Sequence, residues 1–192
     1  QANGVVIITT KKGQRNQKAK ITYNGYIGVQ KATNVLEMAN SQEYSTMLLE
    51  ANYDAYVSTM KASIDKFGGD YSDPDFHNWK FDSDTDWYKE LLRSALITNH
   101  SLGISGGTEK STYSVGMSYL YQDGVMDVEN NYKRLNFRAA LDYEAANWLK
   151  VGFNGVFSSS TQVLPQNKAW QQAFNAPGIY PVYDSANDNT FP

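Results

Sequence analysis

Asp82-Ser83-Asp84-Thr85-Asp86 sets carboxylates at alternate positions, resembling the opening of a calcium-binding EF-hand loop, where oxygens alternate around the ion. Such a loop needs glycine at its sixth position and a bidentate glutamate at its twelfth. Here those positions hold Trp87 and Arg93, which excludes a full EF-hand. The run reads instead as a helix N-cap on a solvated acidic loop, with a looser cation site as the alternative. Trp79, Phe81 and Trp87 are the candidate substrate-binding residues. They either form a platform on which a sugar ring stacks or pack against nearby helices.

Other chemistry is thinly supplied. His77 and His100 have no spacing that brings them to one helix face, so they outline neither a metal site nor a catalytic triad. His77 reads as an exposed loop residue, and His100 as marking the end of an apolar strand face. There is no cysteine, which removes disulfides, thiolate metal sites and a thiol nucleophile. Ser105-Gly106-Gly107-Thr108 opens no helix and so cradles no phosphate, and no Gly-x-Ser-x-Gly elbow is present. The seven aspartates between 65 and 86 form carboxylate pairs by density alone. No catalytic residue, metal ligand or cofactor is assigned, and the chain is not read as an enzyme. A net charge of −3 with scattered cations gives no footprint for nucleic acid.

The elements that must position these residues are mostly strands. Val5 to Thr10 reads as a buried strand closed by Lys11-Lys12-Gly13. A chain that opens inside a strand is expected to be a piece of a longer protein. Five later segments alternate in polarity. Ile21, Tyr23, Ile27 and Val29 oppose Thr22, Asn24 and Gln30, and Leu102 and Ile104 oppose Asn99, Ser101 and Gly103. Val115, Met117 and Tyr119 oppose Ser114, Gly116 and Ser118, and Leu135, Phe137 and Leu141 oppose Arg134, Asn136, Arg138 and Asp142. In the last, Leu149, Val151, Phe153 and Phe157 oppose Lys150, Gly152, Asn154 and Ser158. Strand side chains point alternately to opposite faces, so each segment has one greasy and one polar side.

The connections alternate as well. The turns 106–110 and 144–147 are short, whereas 122–131 is long and polar. The insert 31–97 and the tail after 160 fall at the same end as the long link. Short turns at one end and long loops at the other match transmembrane β-barrels, and 14% aromatic residues suit either such barrels or carbohydrate-handling β-proteins. The insert is expected to be helical from Asn40, with Glu43 completing a capping box and Tyr44, Met47, Leu48, Ala51 and Ala55 on one face. A short helix from Asp86 to Arg93 is expected to bury Trp87 and Leu91, and another helix lies near 169–174. Lys133 shares a greasy face but begins its strand, where a cation costs about 0–1 kcal/mol against 2–4 at mid-bilayer.

Ala2-Asn3-Gly4-Val5-Val6-Ile7-Ile8-Thr9-Thr10-Lys11-Lys12-Gly13, then Ile21-Thr22-Tyr23-Asn24-Gly25, resembles the plug-to-barrel junction of SusC/RagA-type TonB-linked outer-membrane transporters. Thr85-Asp86-Trp87, Asn99-His100-Ser101-Leu102-Gly103-Ile104-Ser105-Gly106-Gly107, Tyr113-Ser114-Val115, Tyr132-Lys133-Arg134-Leu135-Asn136-Phe137-Arg138 and Trp148-Leu149-Lys150-Val151-Gly152 continue the resemblance in order. It implies an all-β-dominated fold, the antiparallel strands of a partial transmembrane β-barrel carrying a helical extracellular insert. Residues 1–13 would be the last plug strand and 14–30 the first barrel strand. Residues 31–97 would form the large extracellular loop, 98–160 strands two to five, and 161–192 the start of the next loop. The implied function is nutrient import, of glycans or oligopeptides, across a bacterial outer membrane. A SusD-like surface lipoprotein, TonB and membrane lipid are the implied partners. No family substrate-binding residue is carried over by these motifs.

The competing reading is a soluble, secreted β-sandwich that binds carbohydrate. Both readings predict alternation. A sandwich buries the greasy faces on a second sheet, whereas a barrel turns them to lipid.

Overall fold

The computed structural model describes residues 13–166 and 168–183. The expected strand at Val5–Thr10 and the chain end after 183 lie outside the described residues. In chain order the elements are β1 (Lys20–Gln30), α1 (Ser41–Ala51), α2 (Tyr53–Phe67), β2 (Gly69–Asp70), a 3-10 turn (Phe76–Asn78), β3 (Lys80–Phe81), α3 (Trp87–Leu91), β4 (Ala95–Gly107), β5 (Ser111–Asp123), β6 (Asn131–Ala146), β7 (Leu149–Val163) and α4 (Ala169–Asn175). They fall into two compact units. One comprises β1 with Ala95–Gly124 and Glu129–Leu164; the other comprises Lys31–Ser94, Val125–Val128 and the chain from Pro165.

The first unit is one antiparallel sheet of order β1-β4-β5-β6-β7. Its register sets like beside like: Met117 opposite Phe137 opposite Phe157 on one face, and Ser118 opposite Asn136 opposite Ser158 on the other. The greasy face is uncovered, with Tyr119 40%, Phe137 43% and Phe153 60% exposed. The other described sheet, β2 with β3, has two residues per strand and cannot serve as the second layer of a sandwich. From Leu135 to Tyr143 the greasy face runs eight residue steps, roughly 27 Å along the strand. Tilted by about 35–45° as in outer-membrane barrels, that length rises about 19–22 Å, most of an apolar band about 25 Å tall.

Strand limits differ slightly from the sequence reading. β1 starts at Lys20 rather than 14, β4 at Ala95 rather than 98, and β7 ends at Val163 rather than 160. Residues before Lys20 lie along the sheet end: Gly107 N donates to Gln17 O (3.0 Å) and Asn16 N to Thr108 O (3.2 Å). β4 starts earlier because Ala95 pairs with Gln30, which adds rungs that polarity alone does not mark. The β6–β7 turn carries a register shift between Glu144 and Ala146.

In the second unit the expected helix from Asn40 is two helices. Asn40 closes the capping box on Glu43, accepting from Glu43 N at 2.8 Å while Glu43 Oε2 accepts from Asn40 N at 3.0 Å. At Asn52 the backbone turns extended (φ −159°), ending α1 and capping α2 through a bond from Ala55 N (3.0 Å). One asparagine both stops and starts a helix, because its side-chain oxygen substitutes for the missing turn. Met47, expected on the packed face, is exposed, while Tyr44, Leu48 and Leu49 pack on the core. That core is Tyr56, Met60, Ile64, Trp79 and Ile179.

Candidate functional site

The polar face of the sheet is where this fold gathers organised hydrogen-bonding groups. Asn136, on β6, is its hub. Arg134 Nε donates to Asn136 Oδ1 (3.0 Å), Ser158 Oγ donates to the same oxygen (2.8 Å), and Asn136 Nδ2 donates to Ser118 Oγ (3.1 Å). Three neighbouring strands are thereby linked through side chains as well as backbone. Beside this hub Gly103 and Gly116 face each other across β4 and β5. A β-carbon on Gly116 would lie 2.8 Å from Arg138 Nε, so the bare backbone there is what lets the Arg138 side chain lie across the strand. The result is an open furrow of about 500 Å³, lined by Thr22, Asn24, Ser101, Gly103, Arg134 and Arg138 among others.

The opposite face carries the sheet's exposed greasy side chains. His100 stands opposite Gly25 on one side and Tyr119 on the other, well inside β4, because that strand begins at Ala95. The expectation that His100 marks the end of a strand face is corrected. Its Nδ1 shares a 2.7 Å hydrogen bond with the Tyr23 hydroxyl, and the two rings stack at 6.1 Å. Two polar atoms on a greasy face thus satisfy each other. Gly25 leaves the room, since a β-carbon there would crowd both partners. Lys133 lies 5.7 Å over the Tyr121 ring near the long-link end.

The sequence-derived aromatics go elsewhere. Trp79 is 2% exposed, with its ring 5.2–5.6 Å from those of Tyr56, Phe76 and Tyr71. Its Nε1 donates to Asp73 O (3.0 Å). Phe81 packs partly buried against the same core. Trp87 donates its Nε1 to Pro177 O (3.1 Å). Trp79 serves the core, so the three form no shared exposed platform. In α3 the fully buried ring is Tyr88, against Trp170 at 4.6 Å, while the expected Trp87 and Leu91 are half-buried. Five residues make little more than one turn, so a packed partner decides which side turns inward.

The acidic run is used for local structure. Asp86 Oδ1 accepts from Lys89 N (3.1 Å) as the N-cap of α3. Asp84 Oδ1 accepts from Ser41 N (2.8 Å) and Ser41 Oγ (3.0 Å). Among the described residues no group of three His, Asp or Glu is placed to hold a metal ion. Asp75 accepts from His77 N (3.1 Å) and meets His77 Nδ1 at 3.0 Å. The backbone bond and then the ring bond from His77 hold its carboxyl below the usual carboxylate range. A group with a depressed folded pKa contributes stability above its unfolded pKa and loses it as pH falls through the folded value. Acidification below the ordinary carboxylate range should therefore loosen the Phe76–Asn78 turn. Asp75→Asn should remove that acid step, read by pH-dependent amide exchange at His77 and Asn78; an unchanged profile would refute it.

No model of a known protein family matches the sequence. Among curated proteins the chain is 27% identical over 161 residues to TonB-dependent receptor P3 of Formosa agariphila, covering 84% of this chain and 14% of that protein. It is 28% identical over 129 residues to TonB-dependent receptor SusC of Bacteroides thetaiotaomicron, covering 67% of this chain and 11% of that one. The chain thus spans about a seventh or less of the length of these two relatives. Its fold superposes on the RagAB peptide transporter with a TM-score of 0.71 at 20% identity, covering 94% of this chain and 23% of that one. The RagAB peptide importer in its closed-closed state gives 0.64 at 24% identity, covering 82% and 19%.

Proposed function

We propose that this chain is a part of a SusC/RagA-type TonB-dependent outer-membrane transporter, the kind of protein its relatives and its fold resemble, and that the whole protein imports glycans or oligopeptides across the outer membrane. The relatives are receptors and transporters, not enzymes. The cargo is bound and passed unchanged, a SusD-like surface lipoprotein works with the barrel, and TonB supplies the energy. Residues 1–13 close the plug, the strands from 14–30 and 98–160 form barrel wall, and 31–97 with 161–192 are extracellular. The observation that carries this reading is the sheet itself. Its greasy face is uncovered, its tight turns (108–110 and 147–148) sit at one end, and its three long excursions leave from the other.

The test is uptake by cells carrying the intact gene, with fluorescent oligosaccharide and oligopeptide pools. Uptake should require the protein, a functional TonB and the lipoprotein, and the protein should fractionate with the outer membrane. Full uptake in cells lacking TonB would overturn the proposal.

A further inference from the structure

The chain has four arginines, and their surroundings divide them. Arg15 pairs with Glu144 at 2.5 Å and Arg93 with Asp127 at 3.5 Å. Arg134 and Arg138 share the polar face of β6, and no described carboxylate lies within ion-pair distance of either. They border the furrow over Gly103 and Gly116, whose lining carries no Asp or Glu; its other polar side chains are the hydroxyls and amides of Thr22, Asn24, Ser101, Ser118 and Asn136. We propose that this furrow is a carboxylate-binding subsite on the import path, taking acidic oligomers through the guanidinium groups of Arg134 and Arg138. The inference rests on the transporter reading above and names the cargo chemistry.

The physical case has three parts. A guanidinium presents paired N–H donors that match a carboxylate, so an unpaired arginine on a water-facing wall selects anions bearing two oxygens. Arg134 is held toward the furrow by its bond to Asn136, itself fixed by Ser118 and Ser158, so little freedom is lost when a ligand arrives. The two arginines are four residues apart on one strand face, roughly 13 Å. That spacing suits successive acidic groups of one oligomer, which is handed from one cation to the other. Passage requires sites that attract but do not trap, and exposed guanidiniums in a wet furrow meet that condition. The neighbouring hydroxyls and amides can bond sugar hydroxyls or peptide groups alike, so carboxylate is the feature recognised.

The experiment uses the full transporter with its lipoprotein, reconstituted in lipid vesicles. Binding of tetraglutamate and tetragalacturonate is measured by calorimetry beside the neutral tetraglutamine and maltotetraose. Arg134→Gln with Arg138→Gln should weaken acidic probes at least tenfold, leave neutral ones unchanged, and flatten the salt dependence. The acidic probe that responds identifies the backbone preferred. Arg138→Lys should keep the part of acidic binding that comes from charge and lose the part that needs the paired N–H fork, falling between wild type and Arg138→Gln. Ser118→Asp, which puts a carboxylate beside the pair, should mimic the double loss should the double variant fold poorly. Acidic binding equal to wild type in correctly folded variants would overturn the subsite. So would unchanged acidic binding with new proteolysis upstream of Gly13, because the arginines would then be docking protein carboxylates. Failure of wild-type protein to support TonB-dependent uptake would instead sink the transporter reading.

Discussion

Phe137→Arg should destabilise the membrane-inserted protein by about 2–4 kcal/mol, whereas Asn154→Arg should cost less than about 1 kcal/mol. Phe137 sits between Met117 and Phe157 at the middle of the greasy face. A guanidinium there must either enter hydrocarbon or drag water and headgroups inward. The Asn154 side belongs to the polar face, shared with Ala140 and Arg138, where a long cation meets water. Both substitutions introduce the same side chain on adjacent strands, so helix propensity, net charge and expression load are matched. The measurement is urea-dependent folding of the full transporter into lipid vesicles, followed by the gel shift of folded barrels. Equal penalties at the two positions would show that lipid does not cover the Phe137 side. A larger penalty at Asn154 would invert the barrel.

Trp79→Ala should unfold the insert locally, with a loss of about 3–5 kcal/mol. The indole is nearly fully buried among Tyr56, Phe76 and Tyr71, and among the described residues it belongs to a core cluster of five buried side chains. A cluster that small cannot collapse around so large a void. Trp79→Phe retains most of the ring volume and forfeits the bond to Asp73 O, a change of about 1 kcal/mol plus imperfect fill. Amide exchange of α2 within the full protein separates the outcomes: Trp79→Ala should remove protection there while β4 to β7 stay protected. Retained protection of Tyr56 and Met60 would mean that the core is built otherwise. Any binding defect of Trp79→Ala would follow from this unfolding, since the indole faces no solvent.

Much of the sheet could be read from the chain alone. Alternation of Leu135, Phe137 and Leu141 with Arg134, Asn136 and Arg138 assigns two faces before any strand is paired, because successive strand side chains point opposite ways. The short and long connections then sort the two ends. Asn40 with Glu43 likewise announces a helix start by local chemistry. The insert resisted the same treatment. Its helix breaks at Asn52, whose cap bonds look from sequence like one more polar residue on a helical face. Its short α3 turns Tyr88 inward because Trp170, more than eighty residues away, offers a ring to pack against.

The candidate site shows the same division. That Arg134 and Arg138 share a polar face follows from their spacing of four in a strand. That they lie beside a bare-backbone furrow follows only from register, which sets Gly103 opposite Gly116 and Gly116 opposite Arg138. His100 was legible as outward-facing from its phase with Leu102, but its partner Tyr23 and the gap at Gly25 required β1 to be laid alongside. Faces, ends and caps were determined by sequence because they depend on neighbours within four residues. Pairings, the choice of buried aromatic and the furrow were decided by tertiary structure, because each needs side chains that meet only after distant segments have been brought into register.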